Sequence, residues 1–188
     1  MGLTVENLTK RFGEKTAIHH LNFVMEEPGV FGLLGTNGAG KTTTIRSILG
    51  IMQPDEGKAL WNGKKITRDT LAFGYLPEER GIYMKAKVLE QLIYFGMLRG
   101  MKKAEAKQSA QELMEQLQVT EYQNMQAEKL SKGNQQKIQL IAAIIHRPQL
   151  IFLDEPFSGL DPVNAAVLRN LVKKLVKEGK YIILSTHQ

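Results

Sequence analysis

The sequence contains no cysteine. Disulfides, thiolate metal sites and cysteine nucleophiles are thereby excluded together. It also lacks any apolar run approaching the ~18 to 20 residues that span a bilayer. The longest candidates, residues 138–145 and 149–153, are interrupted by polar side chains or very short. The opening MGLTVENLTKRF offers no apolar core for a signal peptide, and the sixth position holds Glu6 where myristoylation prefers Ser or Thr. These absences describe a cytoplasmic chain that does not enter a membrane by itself. Internal repeats and low-complexity segments are also missing.

What remains is 188 residues, of which 43% are hydrophobic and 23% charged, the balance of one ordinary domain with a real core. The net charge of +6 comes from Lys and Arg dispersed among Glu, as on a solvated face, so no direct nucleic-acid partner is expected.

Residues 3–8 alternate apolar and polar, and residues 21–25 are rich in strand formers, so the chain is expected to open with antiparallel strands. The apolar run 30–34 stops at a glycine cluster and reads as a buried central strand feeding a loop, followed by a helix over 41–49. Asn62-Gly63 between two short strand-like runs marks a hairpin, because both central turn positions want positive φ. Residues 85–118 carry helical spacing, and a further helix is expected over 133–146, capped by Ser131 and ended by Pro148. Short apolar strands at 149–153 and 181–185 flank a helix that begins at Pro162 and ends near Gly179. Strands alternating with helices imply an α/β fold with a mainly parallel sheet covered on both faces, beside the N-terminal antiparallel strands.

Gly35-Thr36-Asn37-Gly38-Ala39-Gly40-Lys41-Thr42 fits the phosphate-loop pattern G-x-x-x-x-G-K-[ST], with Thr43 continuing it, and it lies between a strand and a helix start. Its glycines let backbone N–H groups converge on phosphates, and the helix N-terminus adds a favourable dipole. Lys41 supplies a point charge for the β- and γ-phosphates, and the Thr42 hydroxyl is a candidate magnesium ligand. A magnesium nucleotide site also needs a carboxylate at the end of a neighbouring strand and a group that activates water. Asp154 and Glu155, following the apolar run 150–153, supply both. Alone, such an apolar-Asp-Glu run would be no more than a strand end before a helix.

Leu130-Ser131-Lys132-Gly133-Asn134-Gln135-Gln136, shortly before the Asp154 strand, resembles the L-S-G-G-Q signature of the nucleotide-binding subunits of ABC transporters, as found in bacteria. The resemblance extends over essentially the whole chain. It implies a P-loop ATPase fold with ATP and Mg2+ as cofactors, in which Ser131, Gly133 and Asn134 reach the nucleotide of a second subunit in a head-to-tail homodimer or heterodimer. Lys132 replaces a glycine of the signature and Asn134 its glutamine; Lys132 is expected to face solvent. By the same likeness Phe12 stacks on adenine, Ser158-Gly159-Leu160-Asp161 forms the D-loop linking two ATP sites, and His187 senses the γ-phosphate. Gly74-Tyr75-Leu76-Pro77-Glu78-Glu79-Arg80 occupies the Q-loop, with Glu78 where a glutamine normally touches magnesium.

The resemblance further implies docking on separate membrane-spanning transporter subunits, on the inner face of the cell membrane, with solute transport driven by hydrolysis. Two other readings compete with this one. A DNA-maintenance ATPase would need coiled-coil arms between the phosphate loop and the signature, yet residues 41–131 hold no sustained heptads. A ribosome-associated factor would carry two ATPase halves, and one is visible. Residues 1–188 are thus expected to form a single ATPase domain with a helical subdomain over 85–146. The family continues past the switch histidine, so the C-terminal part is expected to be missing, leaving an apolar patch exposed near His187.

Overall fold

The structure is a computed structural model that describes residues 2–67, 71–79 and 81–187. It consists of two four-stranded sheets and the helices packed on them. Strand β1, Leu3–Phe12, pairs antiparallel with β2, Lys15–Met25, and on its other side with β4, Glu56–Trp61. Leu3, Val5 and Leu8 of β1 point inward, as the alternation in the sequence requires. A two-residue turn with Asn62 at φ 51° and Gly63 at φ 77° leads from β4 into β5, Lys64–Lys65, which is the hairpin signal realised.

The second sheet is parallel and ordered β3-β8-β7-β6: β3 is Gly29–Leu34, β8 Tyr181–Thr186, β7 Leu150–Asp154 and β6 Phe73–Leu76. Every residue of β7 is buried, because strands flank it and helices or sheet cover both its faces. Ile151, Leu153, Ile182 and Leu184 pack into one core with helices α4 (Lys132–Ile144) and α5 (Pro162–Lys177). Leu150, Phe152, Tyr181 and Ile183 face the opposite core, shared with α1 (Lys41–Ile48) and the antiparallel sheet through Ile45, Ile48, Leu3 and Trp61. Burying alternate faces of the same strands is what makes them continuous apolar runs in the sequence.

Strand β3 does not match the central position expected of residues 30–34. It is an edge strand of the parallel sheet, paired with β8, and its outward residues are open: Val30 is 49% and Leu34 75% exposed. Phe31 and Leu33 alone turn toward the core, with the Phe31 ring stacked 4.1 Å from that of Phe23. An apolar run reports that a strand is apolar on both faces, not how many strands flank it.

Residues 85–118 form two helices, α2 (Val88–Leu98) and α3 (Lys103–Gln116). They approach closely at Gly96, where an added Cβ would lie 2.7 Å from the Ala106 methyl. Ser109 donates a 2.7 Å hydrogen bond to the Ile145 carbonyl, satisfying an acceptor at the end of α4 that would otherwise be buried without a partner. Ser131 caps α4 by accepting from the Asn134 N–H, and Asp161 caps α5 in the same way through the Asn164 N–H, with Pro162 in the first turn.

His146, just past α4, donates from Nε2 to the Phe73 carbonyl at 3.2 Å, so α4 and β6 are joined there. Burial, reinforced by the charge of Arg99 and opposed by the bond to Phe73, pushes this imidazole from 6.5 down to about 4. A histidine depressed in the folded state contributes its stability above the unfolded value and loses it as pH falls from there toward the folded one. Between pH 6.5 and pH 4 the fold should therefore lose up to about 2 kcal/mol through this residue, allowing for its partial exposure. Replacing it by Gln, which retains an N–H for Phe73, should flatten that loss. Denaturation midpoints at pH 7 and pH 4.5 provide the comparison, and an unchanged difference in the His146→Gln protein would contradict it.

Candidate nucleotide site

The phosphate loop emerges from β3 and closes on α1. Gly40, the residue before α1, has φ 90°, and a Cβ there would lie 2.2 Å from the Ala17 carbonyl oxygen. No other residue fits both the dihedral and the space. Helix α1 has no side-chain cap and no acidic residue in its first turn. Its leading N–H groups and dipole are therefore left to an anion from outside the helix.

Beside the loop is a cavity of about 460 Å³ lined by Phe12, Asn37, Gly38, Gly40, Lys41, Thr42, Thr43, Glu78 and Glu155, with Lys15 and Ala17 of β2 closing one wall. Gly35, Thr36 and Ala39 do not line it. Gly35 and Thr36 hold Lys41 instead: its ammonium donates to the Gly35 carbonyl at 2.8 Å and to that of Thr36 at 3.1 Å. Lys41 Nζ also lies 3.2 Å from Glu155 Oε1, with the two side chains 10% and 7% exposed. At that burial the pair is little screened, and the cation is already presented toward the cavity. Phe12 is 49% exposed on the wall, an uncovered aromatic face at the end of β1, with Lys10 Nζ 5.6 Å from the ring centroid.

Asp154 and Glu155 follow β7 as expected, and one hydroxyl organises both. Ser185, opposite Asp154 in the register with β8, donates to Asp154 Oδ1 at 2.6 Å and accepts from the Glu155 N–H at 2.9 Å. Asp154 is fully buried and its second oxygen, Oδ2, has no hydrogen-bond partner. A buried carboxylate oxygen left without a donor is costly unless a cation or its water completes it. Glu155 takes φ 48°, in the left-handed region that costs a non-glycine residue roughly 1 kcal/mol, and this turn aims its carboxylate at Lys41 instead of along the strand. His187, following β8, places Nδ1 2.9 Å from Glu155 Oε2. Glu155 is thus held between Lys41 and His187.

The donors Thr42, Glu78 and Asp154 are hard oxygens, a set suited to Mg2+, which retains waters and phosphate ligands and does not require a full protein cage. Among the described residues there is no group of three or more His, Asp or Glu that could hold a metal ion by itself.

Ser131, Gly133 and Asn134 are elsewhere: they begin α4, and none of them lines the cavity. Gly133 packs against the start of α5, where a Cβ would lie 3.1 Å from Asn164 Nδ2, and Lys132 is exposed. Arg80 of the Q-loop match lies outside the described residues.

A sequence profile described as "ABC transporter" matches residues 18–158. The chain belongs to the ABC transporter family. It is 48% identical over 187 residues to the uncharacterized ABC transporter ATP-binding protein YhaQ of Bacillus subtilis, covering 99% of this chain and 63% of that protein. It therefore spans less than two thirds of YhaQ's length. Among solved structures it superposes on an ATP-binding subunit of an ABC transporter with a TM-score of 0.87 at 30% identity, covering 100% of this chain and 80% of that one. A second match is the ADP conformation of an ATP-binding cassette, with a TM-score of 0.85 at 25% identity and coverage of 100% and 82%. These likenesses establish the ABC ATPase fold, and the matched proteins are described as ATP-binding. They do not favour the DNA-maintenance or ribosome-associated alternatives.

Three residues and one strand that build the site are not marked as such by the sequence. Ser185 stands at the end of a buried apolar strand, but its role depends on that strand lying beside the one that carries Asp154 and Glu155. Lys15 and Ala17 gave no signal, because their place on the cavity wall depends on how β2 packs against the loop. Strand β6 itself was hidden in the short segment before Pro77.

Proposed function

We propose that the cavity binds Mg-ATP and that the chain hydrolyses it as part of a head-to-tail dimer, driving solute transport by a membrane partner. The observation that carries this reading is the convergence of Phe12, Lys41, Thr42, Glu78 and Glu155 on one cavity, with Asp154 Oδ2 unpartnered behind it. Adenine would stack on Phe12, and the phosphates would lie on the amides of residues 35–43, where Lys41 exchanges Glu155 for phosphate oxygens. Thr42, Asp154 and Glu78 would hold Mg2+ directly or through water; when bound, the ion neutralises charge on the β- and γ-phosphate oxygens. Once Lys41 has turned to the phosphates, Glu155 would be free to orient and polarise the attacking water, and His187, beside Glu155, would steady the γ-phosphate.

The second copy supplies Ser131, Gly133 and Asn134, a hydroxyl, a glycine amide and a carboxamide side chain at a helix start, which together would form an anion site. Their separation from the cavity within one chain is the reason a partner is needed. The D-loop, residues 158–161, would link the two sites. Hydrolysis per molecule should accordingly rise with protein concentration at fixed saturating Mg-ATP. A rate constant independent of dilution over the range in which sedimentation detects dimers dissociating would contradict the shared site.

No helix among the described residues is long and apolar enough to cross a membrane. Residues 85–146 would act as the helical subdomain of a single ATPase domain, on the inner face of the membrane. Between that subdomain and the parallel sheet lies a groove of about 710 Å³ lined by Ile51, Phe73, Pro77, Phe95 and Leu98 among others. Leu98, at 63% exposure, leaves its apolar wall open, a surface suited to a segment of the membrane partner.

A further inference from the structure

Three buried glutamines tie loops to helices in this protein. Gln91 donates to the Tyr83 and Ala86 carbonyls and accepts from the Tyr83 N–H, and Gln135 donates to the Ala127 and Leu130 carbonyls. Both act within the helical layer. Gln139 differs because its partners belong to the other part of the fold. It is 4% exposed, and its Nε2 donates to the Pro77 carbonyl at 3.1 Å and to the Glu79 carbonyl at 2.8 Å. Those two carbonyls bracket Glu78.

The orientation of the amide is fixed by chemistry. A carbonyl only accepts, so the nitrogen and not the oxygen must face the loop, and an amide nitrogen has one N–H for each carbonyl. The rest of α4 reinforces the attachment. One turn beyond Gln139, Ala143 abuts β6 so closely that a Cβ on Gly74 would lie 2.6 Å from the Ala143 carbonyl oxygen. Past the helix end, His146 donates to Phe73. Helix α4 therefore grips β6 at Phe73 and Gly74 and the following loop at Pro77 and Glu79. The N-terminus of that helix carries Ser131, Gly133 and Asn134.

We infer that Gln139 is a positioning residue that couples the signature helix α4 to Glu78, so that displacement of α4 against a second subunit's nucleotide moves the carboxylate beside the chain's own nucleotide. Each ATP site is thereby informed of the state of the other through a single side-chain amide. The inference rests on the proposed placement of Glu78 toward the magnesium nucleotide and adds the residue that holds it there.

The test compares the purified protein with its Gln139→Met and Gln139→Glu variants, both close in size to glutamine and neither able to donate twice to the loop. Free Mn2+ is followed by its electron paramagnetic resonance signal in the presence of ADP, and ADP binding is measured separately in chelator. Both variants should weaken Mn2+ binding about tenfold, the scale of losing a group that orients a metal ligand, while metal-free ADP binding changes less than about twofold. Hydrogen exchange without nucleotide should quicken in the peptide covering residues 76–83 and stay unchanged in the phosphate loop. Adding Glu78→Ala to Gln139→Met should weaken Mn2+ binding no further than Glu78→Ala alone, because the two act through one carboxylate. If one variant fails to fold, the other is read in its place. Unshifted Mn2+ binding, or additive losses in the double variant, would overturn the coupling while leaving the nucleotide site intact. Absence of Mn2+-ADP binding in the unmodified protein would overturn the site assignment and this inference with it.

Discussion

A Glu155→Gln protein should retain Mg-ATP and lose turnover by about 10²- to 10⁴-fold, the range expected for removal of a positioned general base. The amide occupies the same space and keeps polar contact with Lys41 and His187, but it no longer attracts a proton from water. The structure adds a second consequence. Glu155 Oε1 is the anion that engages Lys41 at 3.2 Å in a pair with little solvent access, so an incoming phosphate must displace it. Removing the charge should therefore tighten ADP binding as well, under conditions too dilute for dimers to form. Single-turnover hydrolysis and ADP titration separate the two effects. Hydrolysis within about threefold of the unmodified rate would contradict the role given to the carboxylate.

Lys41→Met should raise the dissociation constant for Mg-ADP by roughly 10- to 150-fold, corresponding to about 1.5–3 kcal/mol for hydrogen bonds made by a charged donor. It should also destabilise the fold, because Glu155 is left 7% exposed with the His187 ring as its remaining side-chain partner. Breaking one half of a buried pair is more damaging than removing both, since an uncompensated charge stays behind. The Lys41→Met/Glu155→Gln double variant should consequently be more stable than Lys41→Met alone, although it binds nucleotide no better. Denaturant midpoints of the three variants test the pairing, and a double variant less stable than the single one would contradict it.

Much of this site was legible before any coordinates, for a physical reason. The phosphate loop is a contiguous backbone device: its glycines, its lysine and the helix behind it act within a few residues of one another, so their order in the sequence carries their geometry. Asp154 and Glu155 were readable for the same reason, lying directly at the end of an apolar strand. Features that depend on which elements become neighbours were not readable. Ser185 acquires its role only because β8 lies beside β7, and Gln139 only because α4 crosses the loop after β6. The edge position of β3 belongs to the same class, since the strand's own composition is that of a buried one. Glu78 falls between the two. Its substitution was visible in the Q-loop match, but its place on the cavity wall needed the loop to be held by Pro77 and Glu79.

The ion relationships were also invisible to sequence. Nothing in the spacing of Lys41, Glu155 and His187 announces that one carboxylate joins them. The left-handed turn at Glu155 and the register of β7 with β8 bring this about. A strained turn retained at such a point is explained if the carboxylate must face the phosphate loop.

The account is tested most directly by calorimetric titration of Mg-ADP into the protein and into its Gly40→Val variant, whose side chain would occupy the space held by the Ala17 carbonyl. One nucleotide per chain, bound by the unmodified protein and lost in the variant, is the predicted result. No binding to a folded unmodified protein, or equal binding to both, would contradict the assignment of this cavity to nucleotide.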